Sequence, residues 1–330
     1  MRQSSENGRF ETSDGTNIWY QTFEGTGPVT YVLCDGVACD GYIWKYFIPY
    51  FAGEAEIIHA QYRGHGRSDV PQDLKSLTVE QFAADILELL QELDRSEQTL
   101  VFVGHSMGVQ VALECYRQAP QHVRGLILIN GPYGEALKHV HSTPLFAKAL
   151  PGVQKLVDRW QNYVEKVWQP LLDSEPTYLL ALAFEVNPWL TQRKDFRVYF
   201  KTLGEMPPKV YLAALEGANQ HTAEDILAEV KVPTLVVAGD KDRFTPYPVC
   251  LRLYKKIPGA ELMTMPTGSH IGPLELPELL HLRIEKFVRT HFTEAENKTK
   301  KATKGARPAK EAAKVRPAAK ASKGQKKKPR

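Results

Sequence analysis

Residues 104–108 read Gly-His-Ser-Met-Gly and stand between an apolar β-branched run, TLVFV at 99–103, and a helical pattern, VQVALECYRQA at 109–119. A strand that must become a helix within so few residues forces its central residue into a tight turn, and only neighbours lacking a Cβ let it fit. This is the geometry of a nucleophile elbow, G-x-S-x-G, which holds a serine hydroxyl out at the C-terminal edge of a parallel sheet. A flexible Gly/Ser loop would share the five letters but not the strand before and the helix after.

A serine hydroxyl is a poor nucleophile at neutral pH and needs a base within hydrogen-bond reach, itself oriented by an acid. In a sheet of this kind the chain order is serine, acid, histidine. Downstream, VVAGDKDRFTP (236–246) offers Asp240 and Asp242 in the loop leaving one strand, and PTGSHIGPLELP (266–277) offers His270 in the loop leaving the next. Of the ten histidines, His270 stands out because it separates the last strand from the last helix. Acyl transfer also needs donors for a tetrahedral oxyanion. The backbone N–H of Met107 is one candidate, and that of Val37, beyond Gly36 in CDGVACDGYIWKYF (34–47), is the other.

The elements that must hold these residues are legible as pattern. A hairpin turning near Asp14-Gly15 precedes apolar runs at 29–34, 55–60, 99–103 and 125–130, with a helical period at 78–93 between two of them. Alternation resumes with strands at 234–239 and 261–265, a helix near 246–257 and a last helix from about 275 to 292. Strand and helix alternate, so a mostly parallel sheet flanked by helices follows. Residues 131–220 break the rhythm: they are aromatic-rich and helical in pattern, with breaks expected at Pro144, Pro151, Pro170, Pro188, Pro207 and Pro208. They read as a helical cap inserted after the sixth strand, the alternative being a separate helical domain with no role at the site. The expected organisation is a core of 1–130 and 221–296, a cap of 131–220 and a tail of 297–330.

With 330 residues, 43% of them hydrophobic, the chain is long and apolar enough for a substantial core. The first ten residues lack an apolar signal region and no run of about 18 apolar residues occurs, so a cytoplasmic location without a transmembrane segment is expected. Cys34, Cys39, Cys115 and Cys250 form no C-x-x-C pair and read as reduced thiols, although the spacing of Cys34 and Cys39 would permit a disulfide. The net charge of +4 hides a division: residues 297–330 hold fourteen Lys or Arg and one acid, a net of +13, leaving −9 on residues 1–296. A Lys/Ala/Pro tail without aromatics is expected to be disordered. Its charge suits weak, sequence-independent contact with a polyanion such as nucleic acid, an acidic membrane surface or an acidic carrier protein.

Taken together, these motifs resemble the capped, lipase-box α/β-hydrolases, a group of esterases, C–C bond hydrolases and haloperoxidase-like proteins, over roughly residues 10–292. YRGHGRSD (62–69) is similar to the family's Arg-Gly-x-Gly-x-Ser turn, and GDKDRFTP to its acid loop. The resemblance implies an α/β-hydrolase fold with Ser106 as nucleophile, His270 as base, Asp242 rather than Asp240 as the acid, and Val37 and Met107 as oxyanion donors, with no metal or cofactor. It implies a serine hydrolase acting on an ester or thioester with a small apolar acyl or aryl group, in keeping with cap aromatics such as Trp160, Trp168, Phe184 and Trp189. C–C hydrolysis or perhydrolysis by the same triad, and a non-catalytic binding protein on the same fold, are the competing readings. Two features depart from the pattern. Asp35-Gly36 stands where relatives carry His-Gly, so a carboxylate either alters the oxyanion site or points away from it. Asn130-Gly131 follows the sixth strand, where a variant of the family would place its acid.

Overall fold

The computed structural model describes residues 5–184 and 186–293, without the side chain of Phe184. Eight strands form one sheet: β1 (Ser5–Glu11), β2 (Asn17–Phe23), β3 (Thr30–Cys34), β4 (Glu56–Ala60), β5 (Leu100–His105), β6 (Val123–Ile129), β7 (Thr234–Gly239) and β8 (Glu261–Met265). Their order across the sheet is β1-β2-β4-β3-β5-β6-β7-β8. The pairings β1/β2 and β2/β4 are antiparallel and all others parallel.

The central strands β3, β5 and β7 are buried along their whole length because both faces of the sheet are covered there, whereas β1 at the sheet edge is polar and largely exposed. Along β5, Leu100 and Phe102 join one core cluster while Val101 and Val103 join the other. The same alternation divides Val236 and Ala238 from Leu235 and Val237 on β7. The first cluster is closed by α2 (Val79–Glu92), α3 (Met107–Gln118) and α9 (Tyr247–Lys256), through side chains such as Phe82, Leu113 and Leu253. Helices α1 (Phe47–Phe51) and α11 (Pro277–Val288) close the second with Phe47, Phe51, Ile284 and Phe287, and the short α10 (Gly272–Glu275) leads into α11. Thr78 caps α2, its hydroxyl accepting from the Gln81 N–H at 3.2 Å.

Between β6 and β7 lie α4 (Leu145–Arg159), α5 (Gln161–Leu172), α6 (Glu175–Phe184), α7 (Arg193–Glu205) and α8 (Pro208–Gln220). Two of the expected proline breaks do not occur. Pro151 lies inside α4 and Pro170 inside α5. In α4, Leu150 and Val157 on either side of the proline pack together against Leu212 of α8, and this shared burial holds both halves in one helix despite the lost backbone hydrogen bond. Buried Asp195 on α7 anchors this layer to the core, accepting from Lys45 and, at 2.6 Å, from the Tyr46 hydroxyl.

All four cysteines are buried free thiols, so Cys34 and Cys39 are not joined. No helix among the described residues is long and apolar enough to cross a membrane. The basic segment 297–330 lies outside the described residues.

Candidate active site

The parallel strands deliver their C-terminal loops to one edge of the sheet, and the register sets them side by side: Cys34 pairs with Gly104 and His105 with Ile129. Ser106 links β5 to α3 at φ 56° and ψ −121°, a conformation that L-residues rarely adopt. Its glycine neighbours are demanded by space. A Cβ on Gly104 would fall 2.2 Å from the Gly108 carbonyl oxygen, and one on Gly108 would fall 2.0 Å from that of Cys34. The elbow is thus wedged between its own helix and the end of β3.

His270, in the loop after β8, meets the Ser106 hydroxyl with Nε2 at 2.9 Å and the Asp242 Oδ2 with Nδ1 at 2.9 Å. The second oxygen of buried Asp242 accepts the Thr245 N–H at 2.8 Å, which fixes the carboxylate. The structure therefore brings Ser106, His270 and Asp242 into one hydrogen-bonded chain, whereas Asp240 is exposed two residues away. Met107 is the first residue of α3, so its N–H has no partner within its own helix and sits at the positive end of the helix dipole. Val37, Met107, Ser106 and His270 line the same cavity.

Asp35 is turned away from that cavity. Its fully buried carboxylate accepts from Trp44 Nε1 at 2.6 Å and meets His59 Nε2 at 2.9 Å. Burial opposes a charge on His59, yet the Asp35 carboxylate overrides it and lifts the imidazole pKa above its ordinary value. The residue that departs from the family pattern thus pins the loop bearing Gly36 and Val37 to the end of β4.

Three residues not singled out in the sequence as site residues hold the His270 loop. Asn130 donates from Nδ2 to the carbonyls of Ser269 at 2.8 Å and His270 at 3.2 Å, and accepts the Gly239 N–H at 2.8 Å. Glu275 accepts from the Ser269 N–H and hydroxyl, both at 2.7 Å, and also from the Asn187 N–H at 3.0 Å and Thr191 hydroxyl at 2.8 Å. His105 completes the set from beside the serine. The only local hint of these roles is the amide at the end of β6, where an acid would otherwise serve.

The cavity above the serine has a volume of about 420 Å³, within the range of small-molecule sites. Its walls are largely apolar, including Phe146, Phe196, Phe200, Leu212 and Phe244, and among the described residues no Asp, Glu, Lys or Arg lines it. The aromatics expected there are elsewhere: Trp160 and Trp189 are exposed, and Trp168 packs inward and donates to the Leu203 carbonyl at 3.0 Å. Phe184's side chain lies outside the description. The helical period marks aromatic positions but not which of several packed faces meets the cavity.

A family model described as alpha/beta hydrolase fold matches residues 31–277. An uncharacterized hydrolase, YugF, from Bacillus subtilis strain 168 is 25% identical over 279 residues, spanning 84% of this chain and 96% of its own. Among solved structures, Est816, described as an N-acyl homoserine lactone degrading enzyme, superposes with a TM-score of 0.65 at 26% identity, over 85% of this chain and all of its own. A thermophilic esterase from Thermogutta terrifontis superposes with a TM-score of 0.70 at 21% identity, over 87% of this chain and all of its own, a likeness of fold.

Proposed function

Because the chain belongs to the alpha/beta hydrolase fold family, we propose that it is a serine hydrolase cleaving a neutral carboxylic ester through an acyl-enzyme on Ser106. The observation that carries this reading is the unbroken relay Ser106 Oγ, His270 Nε2, His270 Nδ1, Asp242 Oδ2, both links 2.9 Å, at the floor of a largely apolar cavity. In the reaction the Ser106 hydroxyl gives its proton to His270 Nε2 as the oxygen attacks the ester carbonyl. The imidazolium that forms is stabilised by the Asp242 carboxylate. Negative charge developing on the carbonyl oxygen is met by the Met107 and Val37 N–H groups. His270 then protonates the leaving alkoxide. Water, deprotonated by the same histidine, releases the acid and restores the serine.

The lining selects the class of substrate. A charged acyl or leaving group would lose its hydration with no ionic partner among the described residues of the wall, which is costly, whereas an aliphatic or aryl ester gains from burial. Est816 is named for degrading an N-acyl homoserine lactone, and a lactone is also an uncharged ester. The test is a substrate panel of neutral esters, lactones, acyl thioesters, esters bearing a carboxylate and a vinylogous diketone. Neutral esters should give the highest kcat/KM, and esters bearing a carboxylate the lowest among the esters. Faster turnover of the diketone would assign C–C hydrolysis instead.

A further inference from the structure

Helix α4 has three faces. Leu150 and Val157 point inward against Leu212. Leu145, Phe146, Val153, Leu156 and the following Trp160 gather on a second side at about 100° per residue, and all are exposed, Leu156 at 57% and Trp160 at 54%. Lys148, Lys155 and Arg159, at spacings of seven and four, form an exposed cationic ridge beside that stripe, with the Arg159 guanidinium over the Trp160 ring at 5.8 Å. The helix's one acid, Asp158, is engaged by Lys209 at 3.0 Å. The apolar stripe continues past the helix end to Tyr163 of α5, also exposed.

An apolar stripe of this extent on a folded surface marks a contact site. Its flank of cations fixes the chemistry of what it meets. We propose that this face docks on an anionic lipid surface, the stripe entering the headgroup–acyl boundary and the ridge meeting lipid phosphates. The position of the cavity argues the same way. Phe146 and Val153 belong both to the exposed stripe and to the cavity wall, so docking sets the cavity beside the phase in which an apolar ester dissolves. A second copy of the chain would offer the ridge no free acid from its own α4. Delivery of substrate rests on the reading of Ser106 as an esterase nucleophile; docking itself does not.

The full-length chain, with its basic C-terminal segment, should be mixed with phosphatidylcholine vesicles with and without phosphatidylglycerol, their acyl chains brominated to quench nearby tryptophan. We expect quenching with the anionic vesicles, most of it lost in Trp160→Phe and abolished in Leu156→Glu, whose circular dichroism and melting should match the parent. Lys155→Gln should weaken vesicle binding about fivefold, the value of one cation at such a surface. Sedimentation with vesicles but no quenching would mean that the C-terminal segment alone tethers the chain, and would overturn the proposal. So would quenching that survives Leu156→Glu, or a dimer that Leu156→Glu splits and lipid does not quench. Ser106 labelling by a fluorophosphonate, run on the same samples, reports the esterase reading separately.

Discussion

His105 donates from Nε2 to the carbonyl oxygen of His270 at 2.8 Å, so the residue preceding the serine holds the backbone of the residue that faces it. Its Nδ1 is buried with no hydrogen-bond partner among the described residues. Burial, reinforced by the nearby His270, pulls the His105 pKa down to about 3.

Acid should therefore unfold the protein through its neutral buried histidines. His281 behaves likewise: burial among Phe47, Tyr50 and Phe51 lowers its pKa to about 4. Both folded values lie below the unfolded one, near 6.5, so the unfolded chain binds more protons in between. Their contribution is present above about pH 6.5 and is lost as pH falls toward the folded values. The melting temperature should drop across that window, and His281→Phe should make the drop shallower. An unchanged slope in His281→Phe would remove that residue from the account.

The Asp35–His59 pair has the opposite sign. The His59 pKa is raised in the fold, so its contribution is complete below about pH 6.5 and fades as pH rises through the raised value. Asp35→Ala leaves His59 and the Trp44 N–H buried without their acceptor, and should cost about 3–5 kcal/mol. The loss should be greater at about pH 6 than at pH 9. Denaturant melts at both values decide it, and an equal loss at both would show that His59 does not carry the charge assigned to it.

At the elbow, Ser106 is held at φ 56°. Strain of this kind costs about 1–3 kcal/mol in a residue with a Cβ. Ser106→Gly and Ser106→Ala should both lose hydrolysis, but the glycine variant should melt higher, by about 2 °C or more. A glycine variant melting below the alanine one would contradict the strain.

Replacing Asp242 by Asn should lower kcat by as much as about 10⁴-fold, since the imidazolium loses its charged partner and the tautomer is no longer fixed. Exposed Asp240→Asn should leave kcat within a few-fold of the parent. Steady-state kinetics on one neutral ester compares the two, and the reverse ranking would displace Asp242 from its role.

The sheet and the relay were legible because each has a local signature. Buried strands write themselves as continuous apolar runs, and the loops that leave them give Ser106, His270 and the pair Asp240 and Asp242, between which the resemblance to the family's acid loop chooses Asp242. Other parts of the site have no such signature. Asn130 meets Ser269 across 139 residues of chain, and a single Asn or Glu275 carries no period to betray its partners. The orientation of Asp35 depended on His59 and Trp44, each unremarkable in isolation. In the helices between β6 and β7 the spacing of aromatics was readable, but the choice of Phe196 and Phe200 over Trp160 and Trp189 for the cavity wall was made by packing between helices.

The acyl-enzyme is the central claim, and intact-protein mass spectrometry during turnover of a p-nitrophenyl ester tests it most directly. A rapid quench in the first turnovers should reveal a population heavier by one acyl group, peptide mapping should place the acyl group on Ser106, and nitrophenolate should appear in a burst matching the enzyme concentration. Ser106→Ala should show neither adduct nor burst. Turnover that continues in Ser106→Ala at a near-parent rate, or an acyl adduct that maps to another residue, would contradict the account.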